Sequence, residues 1–421
     1  MKKIIFILVI SVLLSFNFLL AQGEASAIFL LIAPGSRAEA MGEAQVANSN
    51  DAYSSYWNPA GMAFMRKSEL GLMHVNWLRN LGIDDMYYDI LTGGVKTSFG
   101  TFGGHVIYLN LGEQQRTDEY GNDLGTFTSY LTAATGSYGT RLSKNSAIGI
   151  NAKVVYQKLT DKGTIQEEGK GAALHFAFDL GYQKRKLLGD IVDFGVAISN
   201  IGPKVTFIDE DQADPQPTNL KLGFNFNVVN KKYHKWAIVT DMNKLLVASY
   251  PSMDTDGDYF ISENEKAYTD PLYKAIFTSW VDDWNYDGDI DYDNDGLIGG
   301  FTLNAITDKY EKLQDTTAAG EPTEQWGEYN ENGKKEVGSK EDGSFKNEID
   351  KMIFNVGMEY VYNNLFFIRA GFAYDKAGDI KTPTLGFGVL YHNLGFDFGY
   401  TSAEKGHPLA NTMRFSIRMM F

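Results

Sequence analysis

The chain has 421 residues and no cysteine, with 43 glycines, 24 tyrosines, 27 phenylalanines and only 10 prolines; disulfides, thiolate chemistry, cysteine-built zinc sites and lipoprotein anchoring are excluded together. The formal charge of −15 is concentrated in residues 251–350, which hold 25 Asp and Glu against 8 Lys and Arg, so the remainder is close to neutral. Without a basic face to meet phosphates, no nucleic-acid partner is expected.

Lys2 and Lys3 precede an apolar run from Ile4 to Leu20 that ends at Ala21. This is the pattern of a secretory signal peptide over residues 1–21. No other stretch approaches the ~20 apolar residues of a spanning helix, so any membrane crossing falls to strands. Residues 22–67 do not alternate. They carry Gly35-Ser36-Arg37-Ala38-Glu39-Ala40-Met41-Gly42 and then Asp51 to Met62, including Trp57-Asn58-Pro59-Ala60-Gly61. Too polar and too well punctuated to span, this segment is expected to be an N-terminal hatch inside or beneath a barrel.

From residue 68 the chain reads as fourteen alternating segments: 68–77, 86–97, 101–111, 127–141, 145–159, 171–184, 190–201, 217–229, 233–245, 352–362, 364–375, 381–391, 393–402 and 411–421. In the last, Met413, Phe415, Ile417, Met419 and Phe421 oppose Arg414, Ser416 and Arg418. Successive strand side chains point to opposite faces, so this suits lipid on one side and water on the other. Most segments have about ten residues, the length a tilted strand needs to cross hydrocarbon. The connectors alternate as well. Short ones lie near Ser98-Phe99-Gly100, Leu142-Ser143-Lys144, Lys184–Gly189, Asn230-Lys231-Lys232, Asn363 and His392; the long ones include 112–126, 160–170, 202–216, 246–351 and 403–410. The expected fold is all-β: a 14-stranded antiparallel transmembrane barrel with strands 1–9 in 68–245 and strands 10–14 in 352–421. Short turns belong on the periplasmic side and long loops outside, which places the acidic insertion 246–351 on the cell surface.

That insertion carries calcium-loop spacing. Asp254, Asp256, Asp258 and Glu265 occupy positions one, three, five and twelve of an EF-hand-like loop, with Ile261 at position eight. Such spacing rings one hard cation with oxygens. Tyr259 stands at position six, where glycine usually makes the sharp turn. A second string has Asp283, Asn285 and Asp287 with Gly288; a third has Asp291, Asp293 and Asp295 with Gly296. Neither has a closing acid at position twelve. Calcium is the expected cofactor, and residues 308–350, poor in apolar anchors, are expected to be flexible.

An enzyme is not expected. The six histidines show no metal spacing, with His105, His175 and His392 read as inward strand groups, and no Gly-x-Ser-x-Gly elbow is present. Asp84-Asp85 reads as a solvated loop.

The Trp57-Asn58-Pro59-Ala60-Gly61 segment resembles the hatch of FadL-type outer-membrane barrels. Trp77-Leu78-Arg79, Val356-Gly357-Met358-Glu359-Tyr360, Arg369-Ala370-Gly371-Phe372 and Asn411-Thr412-Met413-Arg414-Phe415-Ser416 are similar to the PorV/PorQ branch. The resemblance spans roughly residues 30–245 and 351–421. It implies a barrel of the type IX secretion system that accepts cargo C-terminal signal domains from the translocon barrel. It also implies delivery to a surface sortase/attachment complex, with outer-membrane lipid around it and Trp77, Leu78 and Arg79 as partner-facing candidates. The alternative is a FadL-type transporter of hydrophobic small molecules. The insertion 246–351 departs from the family pattern.

Overall fold

The computed structural model describes residues 25–78, 82–117, 120, 122–160, 171–207, 213–304, 309–312, 314–316, 322–330, 332–402 and 411–421. The expected signal peptide, residues 1–21, lies outside them, as does Arg79. No helix among the described residues is long and apolar enough to cross a membrane.

Fourteen strands close into one antiparallel barrel. They are β1 (Glu69–Asn76), β2 (Tyr87–Lys96), β3 (Thr101–Thr117), β4 (Asp123–Ser143), β5 (Ser146–Lys158), β6 (Ala172–Lys184) and β7 (Val192–Ile201). After them come β8 (Asn219–Asn230), β9 (His234–Leu245), β10 (Ile353–Tyr362), β11 (Phe366–Asp375), β12 (Ile380–Tyr391), β13 (Leu394–Thr401) and β14 (Thr412–Met420). Each pairs with its sequence neighbour, and β1 closes on β14 with Leu70 opposite Met419 and Leu72 opposite Ile417. No edge is left to bare its amides to lipid. β3 and β4 run 17 and 21 residues, beyond the alternating stretch, because their polar ends keep pairing past a bulge at Asn110–Glu113.

Burial inverts the soluble pattern. On β14, Met413, Phe415, Ile417 and Met419 are exposed while Arg414 and Ser416 are buried. The outer wall is an apolar band, and the polar groups face a filled lumen. Tyr87, Tyr108, Tyr130 and Tyr156 form a ladder across β2–β5 with centroids 5.7–6.0 Å apart. Their chain neighbours Tyr88, Ile107, Leu131 and Val155 are buried, so the ladder lies on the outer face, as an aromatic girdle does. Tight turns close several hairpins of the short-turn rim: Asn363 and Asn364 both take φ above +50°, the geometry of a primed hairpin turn. His392 sits in such a turn with φ +55° and is exposed. It is therefore not an inward strand residue; the apparent alternation around it ran through a hairpin end.

The lumen is occupied by residues 26–65, of which nearly all are buried. They include two short helices, α1 (Ser36–Glu39) and α2 (Ser54–Trp57). Inward glycines make room for this plug: a Cβ at Gly149 would strike Pro59, at Gly195 Val46, at Gly357 Met41 and at Gly371 Gly42. The glycine richness of the chain thus has a packing cause, since these strands lie against hatch backbone.

Candidate functional site

Two polar constructions stand out, one in the lumen and one in the insertion between β9 and β10. In the lumen, Arg37 of α1 forks onto Glu359 of β10 at 3.2 Å with both Nε and Nη2, and reaches Asp51 at 3.0 Å. Arg369 of β11 joins Glu359 and Asp397, each at 2.7 Å. Arg418 of β14 continues to Asp397 at 3.0 Å and Glu69 at 3.4 Å. Arg414 pairs with Glu39 at 2.7 Å and donates to the Ala33 carbonyl. The planar guanidinium suits this bidentate work in a desolvated place.

The hatch turn is built locally. Asn58 caps the following 3₁₀ turn by accepting from the Ala60 amide, and Pro59 stands at its first position. The Asn58 amide group also donates to the carbonyls of Val46 and Tyr182, both at 3.1 Å. Trp57 Nε1 donates to the Pro34 carbonyl at 3.0 Å. Lys221 of β8 lies over the Tyr56 and Trp57 rings, and Ala60 and Gly61 are buried. Trp77 is half-buried against Tyr88 and the Arg414 guanidinium, and Leu78 next to it takes φ +56°. His105 and His175 face inward and are hydrogen-bonded to Ser55 and Thr135, and to Gln157. The Asp85 carboxylate accepts from the Glu113 amide and braces the β3 bulge.

In the insertion, Asp254, Asp256 and Glu265 converge, with carboxylate oxygens within 4.8 Å of one another. Asp254 accepts from the amides of Gly257 at 2.7 Å and Tyr259 at 2.8 Å. Tyr259 takes the left-handed turn, φ +68°, at the position where glycine is usual. Asp258 instead accepts from the Phe260 amide. A second convergence joins Asp291 and Asp293 to Glu336. Asp291 accepts from the Asn294 and Gly296 amides at 2.6 and 3.0 Å, and Asp295 from the Leu297 amide. Position for position, this repeats the first loop.

The closing acids correspond too. Glu265 takes the amides of Thr255 and Ser262, positions two and nine of its loop. Glu336 takes the amides of Tyr292 and Gly299, positions two and nine of the other loop. Glu336 thus stands where position twelve of that loop would, although it lies 45 residues beyond Asp291. Sequence spacing could not find it, because the intervening chain leaves and returns. The two loops pair back to back: the Ile261 amide donates to Gly296 and the Ile298 amide to Tyr259, across a bridge between Phe260 and Leu297.

The string at Asp283, Asn285 and Asp287 forms no comparable loop. Residues 283–285 are a 3₁₀ turn, Asp283 accepts from the Tyr286 hydroxyl and pairs with Lys351, and Asp287 is exposed. Nor is the stretch after residue 326 loose among its described residues: Asn330, Glu336, Ser339 and Glu348 are buried.

Electrostatics differ between the loops. Hydrogen bonds from Ser262, then Thr255, hold the Glu265 carboxyl down at about 2. Burial, with Asp291 beside it, pushes Asp293 up, and burial pushes Glu336 up. Asp293 Oδ1 is buried without a hydrogen-bond partner. Each set offers only hard oxygen donors, the donor class calcium takes.

The family model described as "Type IX secretion system protein PorV" matches residues 23–252, the hatch and the first nine strands. Among solved structures, the chain is similar to the Ralstonia pickettii toluene transporter TbuX, with 11% identity, TM-score 0.48, and 93% of this chain and 100% of that one covered. The Pseudomonas putida toluene transporter TodX gives 12%, 0.45, 92% and 96%. A Pseudomonas aeruginosa FadL homologue gives 11%, 0.41, 92% and 98%. No curated protein matches.

Proposed function

The chain belongs to the family of type IX secretion system protein PorV, and from that premise we propose that it is the outer-membrane shuttle and acceptor of the pathway. It takes cargo bearing a C-terminal signal domain from the translocon barrel and delivers it to the surface sortase/attachment complex. Long loops on one rim and tight turns on the other support an orientation with the acidic insertion outside the cell.

The observation that carries the shuttle reading over small-molecule transport is the family match, which falls on the hatch and the first nine strands. Hatch backbone lies directly against inward glycines on several strands, and the Arg37–Glu359–Arg369–Asp397–Arg418 chain pins it on one side. The test is gene deletion followed by surface proteomics, with pull-down from detergent-solubilised membranes. Loss of surface cargo and recovery of a large barrel or signal-domain proteins is expected. Unchanged cargo, with impaired uptake of a hydrophobic compound, overturns the reading in favour of transport.

The insertion supports a second proposal, that it is a paired calcium module. Asp254, Asp256 and Glu265 would hold one ion, and Asp291, Asp293 and Glu336 another. A cation there supplies charge neutralisation for carboxylates that crowd one another. The matching hydrogen-bond roles of Glu265 and Glu336 favour this over a merely solvated acidic loop. Calorimetric titration of chelator-treated protein with calcium tests it: two sites are expected, and no heat at millimolar calcium overturns it.

A further inference from the structure

Lys244 lies near the end of β9, and its direction follows from its neighbours. Asp241 accepts from the hatch amides of Gln45 and Val46. Asn243 donates to Asn355, which itself donates to the hatch carbonyl of Gly42. Asp241 and Asn243 therefore face the lumen, and by alternation Met242 and Lys244 face outward. Yet Lys244 is only 2% exposed, because Glu348 of helix α4 (Phe345–Asp350), which follows α3 (Leu272–Thr278) in the insertion, covers it at 2.9 Å. Glu348 is itself fully buried and also accepts from the Asp283 amide at 2.8 Å. The base of the insertion thus packs on the outside of the barrel wall.

Its height can be reckoned along the same strand. Trp236, near the short-turn end of β9, is exposed and faces outward like Lys244. Eight residues at ~3.3 Å each, tilted by ~40°, separate the two by roughly 20 Å. An apolar band is about 25 Å tall, so Lys244 falls close to its upper boundary and α4 with it. The face of α4 turned away from Glu348 exposes Phe345, Lys346 and Ile349. Trp284 stands beside it, its ring 5.8 Å from that of Phe345 and 58% exposed. An aromatic pair, an aliphatic residue and a lysine able to lift its charge to headgroups make up the composition of an interfacial helix.

We propose that α4 and Trp284 are seated in the bilayer interface, so that the acidic insertion is clamped to lipid at its base. The occupant of this apolar face is lipid, continuous with the lipid on the adjoining wall. The Lys244–Glu348 pair is what lets a charged group sit there, since an outward lysine in the band is otherwise unfavourable. The contact presupposes that the barrel spans a membrane and can fail without that reading failing.

The absence of native cysteine makes the test direct. Phe345→Cys and Ile349→Cys are labelled separately with an environment-sensitive dye, and the full chain is reconstituted into phosphatidylcholine vesicles with or without nitroxide-bearing lipid. Ile417→Cys, on the wall, and Lys266→Cys, on the exposed first loop, serve as references. Both α4 labels are expected to be quenched several-fold by the lipid nitroxide, as the wall label is, and to resist aqueous iodide. Iodide quenching equal to that at residue 266, with the wall label still lipid-quenched, overturns the proposal alone. Loss of lipid quenching at the wall label as well overturns the membrane reading with it. Protection from both quenchers that vanishes on dilution means a second copy covers the face, and also overturns the proposal.

Discussion

In the lumen, Glu359 is met by two guanidiniums, and Asp397 by two. In the insertion, Asp254, Asp256 and Glu265, and again Asp291, Asp293 and Glu336, converge with no Lys or Arg paired to them among the described residues. Both regions gather carboxylates and remove several from water; only one supplies its own counterions. A desolvated charge must be paired or neutralised: the lumenal chain of Glu359 and Asp397 finds arginines within the fold, whereas under the calcium proposal the insertion would take its counter-charge from solution. Rigidity should follow the same division, with the barrel indifferent to divalent ions and the insertion responsive to them.

The largest break in this comparison comes from removing one lumenal partner. Arg369→Ala leaves Glu359 with Arg37 alone and Asp397 with Arg418 alone, and losing one side of a buried pair costs about 3–5 kcal/mol. The expected outcome is a lower urea midpoint in the gel-shift assay of the heat-modifiable barrel, by the same amount with or without calcium. A calcium-dependent loss would mean that lumen and insertion do not stand apart.

Next is calcium itself. At about 10 mM calcium, roughly tenfold to a hundredfold above the ~10⁻⁴–10⁻³ M dissociation constants of extracellular calcium modules, an ion that binds only the folded form adds about 1.4–2.7 kcal/mol. Limited proteolysis of the insertion should slow sharply in millimolar calcium and recover with chelator, while the barrel bands stay fixed. Glu336→Gln should then halve the stoichiometry, and Glu265→Gln should do the same, despite the different sequence distance of the two acids from their loops.

That equivalence marks where sequence reading stops. The fourteen strands were legible because a period of two survives in each, down to Met413–Phe415–Ile417 against Arg414–Ser416. Asn58-Pro59 was legible as a turn because its cap lies two residues away. Glu336 was not, since its role depends on a tertiary return of the chain. Asp283-Asn285-Asp287 misled for the converse reason: the spacing fits a loop, but Lys351 and the Tyr286 hydroxyl claim Asp283 first. Lys244 carried no sign of its covered state, since alternation alone points it at lipid.

A smaller effect is expected at the seam between hatch and wall. Gly149→Ala forces a methyl against Pro59, and overpacking of this kind costs about 1–3 kcal/mol. The unfolding midpoint should fall modestly, again without calcium dependence, whereas Gly136→Ala, whose Cβ meets nothing within 4 Å, should leave it unchanged.

The finest contrast is in pH response, at the base of the insertion. Burial pushes the Asp282 carboxyl up to about 7, against the pull of Lys351, and neighbouring Glu348 adds to the rise. In the unfolded chain an aspartate titrates near ~3.9. The folded form therefore holds this proton more tightly, and the stabilisation it brings is full below about pH 4 and lost as pH rises through about 7. Amide exchange across residues 279–286, corrected for intrinsic rate, should quicken between pH 6 and pH 8, while the amides of β10 and β11 show no such step. Asp282→Asn keeps the size of the side chain and cannot ionise, so it should flatten the response. A step that persists in the asparagine variant would assign the titration to another group at this base and leave Asp282 as a packing residue only.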